Sequence, residues 1–141
     1  EELIRARRYD VQFALIMVDV DHFKRVNDTY GHGAGDDVLV RFAQILRHTT
    51  RDADAIGRLG GEEFLVVCRH SSLKGALEDA GRIREAIEAH DFTGVGQLTA
   101  RFGVAEVRTD DSVASLLARA DAALYRAKDR GRNRVEQEFD H

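Results

Sequence analysis

The chain has 141 residues and a formal net charge of -4, with 43% hydrophobic and 33% charged side chains, which suits one globular domain with a real core and excludes a disordered or fibrous chain. The acidic balance excludes a general nucleic-acid grip or direct membrane contact by this domain, so any anion-binding patch must be local. The single cysteine, Cys68, cannot pair within the chain, and no signal peptide or long apolar run is visible, so a cytoplasmic setting is expected, with any membrane tether lying elsewhere in a longer protein.

"EELIRARRYD" at the start has the pattern of the second half of a helix, without a capping residue, which predicts that residues 1–141 are a single domain cut at its N-terminal side from a larger protein. "FALIMVDV" (13–20) is an apolar, β-rich run that ends in acidic residues, as a buried central strand does when it emerges at a surface. From Gly35 to about His48, apolar residues recur at helical spacing. "DAIGRLGGEEFLVVC" predicts two strands joined at Gly60 and Gly61, because paired glycines supply the positive φ angles of tight hairpins; Cys68 alternates with Phe64 and Val66 and belongs to the core. A second helix follows over Leu73 to Ile87. "QLTARFGVAEV" alternates like a partly exposed strand, and a last helix runs from about Ser112 to a stop at Gly131.

The order β-α-β-β-α-β plus a final helix predicts an α+β fold of the ferredoxin-like, palm-like kind: an antiparallel sheet with flanking helices on one face and an extra C-terminal helix. In that topology the end of the first strand shares a rim with the hairpin turn. Asp19 and Asp21 are therefore expected beside Glu62 and Glu63. Carboxylates this close need a counter-charge to stay ionised, and hard oxygen ligands without a Cys or His cluster favour Mg²⁺ or Mn²⁺. Mg²⁺ held by few carboxylates shares its shell with water and phosphates, which points to phosphoryl or nucleotidyl transfer. In "DHFKRVNDTYGHGAGDDVL", Asn27 and Asp36 can read a base edge. Asp36 equally suits a helix first turn, and His32 suits a loop hydrogen bond.

These residues resemble the GGDEF domains, whose catalytic members are diguanylate cyclases making cyclic di-GMP from two GTP molecules. "DVDHFKRVNDTYGHGAGDDVL" resembles the family's first signature, "RLGGEEF" its namesake motif in the GGEEF variant, and "ADAALYRAKDRGRN" its C-terminal signature. The resemblance implies that Asp19, the Val20 carbonyl and Glu62 hold metal, with Glu63 completing the shell or taking the proton of the attacking 3′-hydroxyl. It implies substrate binding by Phe23, Lys24, Asn27, His32, Asp36, Gly60 and Gly61, and a triphosphate clamp from Lys128 and Arg132. Without the resemblance, those two cations suit a helix C-terminus equally well. Two such domains must face each other, so a homodimer is expected for catalysis.

"RDAD" stands at the offset of the family's RxxD inhibitory site, which implies that Arg51 and Asp54 bind cyclic di-GMP, with Arg82 completing the site from a neighbouring domain. An ordinary charged turn is the alternative there. For the whole chain the alternative is a weak or inactive GGDEF module that senses cyclic di-GMP or GTP. The intact "GGEEF" favours the enzyme. Two departures from the family pattern stand out: the upstream DxLTGLxNRR segment is absent, and Arg101 stands where many members carry a small serine.

Overall fold

In the computed structural model of this chain, which describes residues 12–50, 53–69 and 71–138 and only the backbone of residues 53 and 54, every residue of β1 (Phe13–Val20) is buried. A strand covered on both faces belongs mid-sheet. It lies between β3 (Glu63–Arg69) and β6 (Ala100–Glu106), antiparallel to both. β2 (Ala53–Gly60) pairs with the outer side of β3, and the short β7 (Arg134–Gln137) runs parallel to β6, giving the order β2-β3-β1-β6-β7. The sheet is thus mixed. The parallel strand at its edge was not expected, because "RVEQ" is only four residues long and half-buried.

Among the described residues, four helices cover the sheet: α1 (Phe23–Tyr30), α2 (His32–Thr49), α3 (Leu73–Ala89) and α4 (Val113–Asp129). A two-residue hairpin, β4 (Asp91–Phe92) with β5 (Gly96–Gln97), follows α3. Side chains alternate along a strand, so β1 serves two cores. Ala14, Ile16, Val18 and Val20 pack with Phe42 and Leu46 of α2 and with Ala80 and Ile83 of α3; Cys68 joins this cluster. Phe13, Leu15 and Met17 point the other way, into Leu116, Ala120 and Leu124 of α4.

The helices of the split unit, α2 and α3, share one face as expected, and the extra C-terminal helix α4 lies on the opposite face. It also covers the side of β6 expected to be exposed, so Gly103 and Ala105 are buried. The reason is contact distance. A Cβ on Gly103 would stand 2.3 Å from the Ala120 carbonyl oxygen and 2.4 Å from the Leu124 nitrogen, so only glycine lets the helix backbone lie this close. Ser112 begins α4 with a capping box shared with Ser115, at the residue where the sequence places its start. The helix predicted for residues 1–10 lies outside the described residues. Among the described residues, no helix is long and apolar enough to cross a membrane.

Candidate active site

The rim where β1 ends is built by strand register. Asp19 pairs with Glu63 on one side and with Arg101 on the other, and Arg101 pairs in turn with Arg134 of β7. Directly opposed residues share a face, so Glu63, Asp19, Arg101 and Arg134 form a row across the sheet that is acidic at one end and basic at the other. Glu62 sits in the turn beside it, and its carbonyl accepts the Val20 N–H at 3.4 Å.

The turn itself depends on glycine at one position. Gly61 has φ +48°, and its carbonyl accepts the Arg58 Nε–H at 2.8 Å, which ties the turn back onto β2. A register shift between Arg58 and Gly60 kinks the strand just before the turn. A Cβ at Gly60 or Gly61 would meet no protein atom within 4 Å. Among the described residues, none fills the space directly over these two glycines, so that space is open to a ligand.

Asp19 is 7% exposed, and its Oδ1 is buried without a hydrogen-bond partner, whereas Oδ2 pairs with Arg101 Nη2 at 2.9 Å. Burial raises its carboxyl to about 7, and the charges of Glu62, Glu63 and Asp21 push the same way against the opposing pull of Arg101. An unpaired, desolvated carboxylate oxygen lacks a positive partner. The chemistry fits a divalent ion, whose uptake would displace a proton from Asp19. Among the described residues, no three His, Cys, Asp or Glu side chains converge as a ready-made cage.

Asp21 departs from the expected cluster of four carboxylates. It is 2% exposed and accepts from Thr99 Oγ1 at 2.7 Å, Arg101 Nη1 at 3.1 Å and the Asn133 N–H at 2.8 Å. Its role is to join β1, β6 and the chain beyond α4. Arg132 and Asn133 both have left-handed backbones, at φ 61° and 43°, and the Asn133 amide is held by Glu88 at 2.6 Å and Arg84 at 3.3 Å. This anchor brings Arg132 to the end of β1. The His22 imidazole there is held below its ordinary value, first by desolvation and then by the Arg132 and Arg25 guanidiniums. Lys128 is exposed in the last turn of α4, four residues before Arg132.

Phe23 and Lys24 open α1, so their amides lie in its first turn, behind the N-cap His22 that follows Asp21. The eight-residue α1 was not predicted as a helix. Asn27 on α1 faces α2, with a buried Oδ1 that has no partner; a Cβ on Gly35 would stand 1.9 Å from that oxygen. Gly35, missed by the sequence reading as a site residue, thus leaves the room in which the Asn27 amide sits. Asp36 is not in a first turn, because α2 begins at His32, and the helix-stabilising alternative for it falls away. It lines a pocket of about 280 Å³ between α2 and β2, with Leu39, Arg47, Ile56, Arg58 and Phe64. His32 is the exposed first residue of α2 rather than a loop residue.

Arg82 lies on α3, paired with Asp79, and among the described residues it forms no hydrogen bond or ion pair with the rim carboxylates. Arg51 and the Asp54 side chain lie outside the described residues.

An acidic strand end, an open glycine turn and a pocket beside Asp36 on one palm-like sheet are the arrangement expected of a nucleotide-handling domain. The family model described as "Diguanylate cyclase, GGDEF domain" matches residues 1–134, and the chain belongs to that family. It is 44% identical over 126 residues to diguanylate cyclase A of Treponema denticola and 45% identical over 130 residues to diguanylate cyclase VdcA of Vibrio cholerae. Those matches cover 86% and 88% of this chain and 34% and 38% of the relatives, so the chain spans about a third of the length of the curated relatives it matches. Among solved structures, the active GGEEF domain of a Vibrio cholerae diguanylate cyclase superposes with TM-score 0.92 at 34% identity, covering 98% of this chain and 90% of that one. The coiled coil and GGDEF domain of DgcB from Caulobacter crescentus, solved in complex with c-di-GMP, superposes with TM-score 0.88 at 30% identity, covering 96% and 74%. Diguanylate cyclases of this family are nucleotidyltransferases that in general need a divalent metal.

Proposed function

We propose that residues 1–141 act as one catalytic domain, a diguanylate cyclase that condenses two GTP into cyclic di-GMP and releases two pyrophosphates. The observation that carries this reading is the buried, unpartnered Oδ1 of Asp19, opposite Glu63 across the ladder and beside an open glycine turn. Asp19, the Val20 carbonyl and Glu62 would hold Mg²⁺ or Mn²⁺. When bound, the ion supplies charge neutralisation at the phosphates and lowers the pKa of the attacking hydroxyl.

This chain's own residues do the rest. Asn27 and Asp36 accept from the guanine N–H groups, with Gly35 leaving room for the Asn27 amide and His32, the exposed first residue of α2, adding a substrate contact. The amides of Phe23 and Lys24 face the phosphates, and Gly60 and Gly61 keep the approach clear. Lys128 and Arg132 clamp the triphosphate, the latter held by the Asn133 anchor. The 3′-oxygen of one GTP bonds to the α-phosphorus of the other as the bond to pyrophosphate breaks. Glu63 either completes the metal shell or accepts the hydroxyl proton. Each domain carries one GTP, so two must face each other with two-fold symmetry. Product would bind at Arg51 and Asp54, joined by Arg82 of a neighbouring domain.

Fusion to a dimerising coiled coil tests the proposal. Given GTP and Mg²⁺, the fused domain should yield a product with the mass of cyclic di-GMP, and the unfused domain at low concentration should yield little. GTP binding by the fused domain with no such product would contradict the assignment.

A further inference from the structure

Arg101 is the feature of the rim that the family reading leaves unexplained. Its side chain is 11% exposed and bridges two carboxylates, reaching Asp19 Oδ2 at 2.9 Å and Asp21 Oδ1 at 3.1 Å. Strand register fixes it there, since Arg101 and Asp19 are directly opposed across β1 and β6. One oxygen of Asp19 is therefore already matched to a cation, and only Oδ1 is left without a partner. The reading rests on the metal role of Asp19 proposed above.

Two effects of Arg101 on metal binding oppose each other. Holding Oδ2 orients Oδ1, which helps an incoming ion. An ion on Oδ1 would also share a single carboxylate with a guanidinium, placing a dication close to a fixed positive charge whose side chain and partner are both shielded from water. Repulsion at that range exceeds the gain from orienting one side chain. Glu62 and Glu63 offset part of it, and the phosphates of a nucleotide would offset the rest.

We propose that Arg101 is a resident counter-cation that keeps the acidic rim from taking up a divalent ion before the nucleotide arrives, so that metal loads together with the triphosphate. Arg101 is thus a positioning residue that sets the order of loading. Its chemistry requires only a fixed positive charge at this place.

Mn²⁺ binding, followed by electron paramagnetic resonance of the free ion, tests this without turnover. Four proteins are compared, with and without a non-hydrolysable GTP analogue: the natural chain, Arg101→Ser, Arg101→Lys and Glu62→Gln. Arg101→Ser should bind Mn²⁺ without nucleotide roughly tenfold or more tightly than the natural chain, the scale expected from removing a nearby like charge. Arg101→Lys should stay as weak as the natural chain. The natural chain should take up Mn²⁺ once the analogue is added, and Glu62→Gln should weaken that uptake. Because removing Arg101 leaves two buried carboxylates uncompensated, Arg101→Ser should also melt lower without metal and regain stability with Mn²⁺. Unchanged or weaker nucleotide-free Mn²⁺ binding by Arg101→Ser, while the natural chain still loads Mn²⁺ with the analogue in a Glu62-dependent way, would overturn the inference and spare the site. Failure of the natural chain to load Mn²⁺ at all would overturn both.

Discussion

The amide of Asn27 occupies space that a single missing methyl group provides. Gly35 is buried in α2, and any Cβ there would run into Asn27 Oδ1 at 1.9 Å and Asn27 Cγ at 3.0 Å. The obstruction is the tip of a flexible side chain, so the fold can absorb it by swinging the amide away. Alanine is also the better helix former by about 1 kcal/mol. Gly35→Ala is therefore expected to leave the melting temperature close to that of the natural protein while GTP affinity falls about tenfold, the scale of one lost hydrogen bond to the base. Calorimetric titration beside a thermal melt checks both halves; an unchanged affinity would remove Asn27 from the nucleotide site. At the same scale, Asp19 and Asp21 look alike in "DVDHF" and do different work. One keeps an oxygen unpartnered at the rim, whereas the other spends both oxygens tying three segments together.

Among the elements, β1, β3, β6 and helices α2, α3 and α4 were legible, because each carries a sustained apolar period and a clear stop. α1 was not, since only Phe23 and Val26 of its eight residues are buried and the rest read as a polar loop. The last helix was legible as a helix but not as the cover of the second face. The signal for that is the row Phe13, Leu15 and Met17, apolar on the side of β1 that a one-faced fold would leave in water. Arg101 and Asn133 were illegible as partners of Asp21, which lies 80 and 112 residues away, because no local pattern reports contacts at that separation. The approach of α4 to β6 yields a sharp expectation. In Gly103→Ala the new Cβ meets helix backbone, which cannot swing aside, so about 1–3 kcal/mol or more of stability should be lost. Urea denaturation measures it, and a midpoint unchanged from the natural protein would show that α4 is not held against the sheet as described.

At the scale of the whole molecule, one sheet carries two separate demands. The rim would collect charge for chemistry, while α3, on the other face from α4, carries Arg82 in a pair with Asp79. If Arg51, Asp54 and Arg82 form a product site between domains, product and substrate act at two places and the product can act as a brake. Arg51→Ala should then turn over GTP at the natural rate but lose inhibition by cyclic di-GMP, as initial rates at rising product concentration would show; inhibition equal to that of the natural protein would remove the product site from Arg51. The relatives extend well beyond the region matched here, so whatever pairs two such rims in a longer protein would govern the output. The rim itself is a property of this fold. There, Asp19 and Glu62, the latter in the turn beside the Asp19–Glu63 pair, would hold a divalent ion against the phosphates. Anomalous scattering from crystals grown with Mn²⁺ and a non-hydrolysable GTP analogue tests it most directly. An ion bonded to Asp19 Oδ1 and Glu62, at about 2.1 Å as for a magnesium site, is the predicted result. A bound analogue with no ion between those two side chains would contradict it.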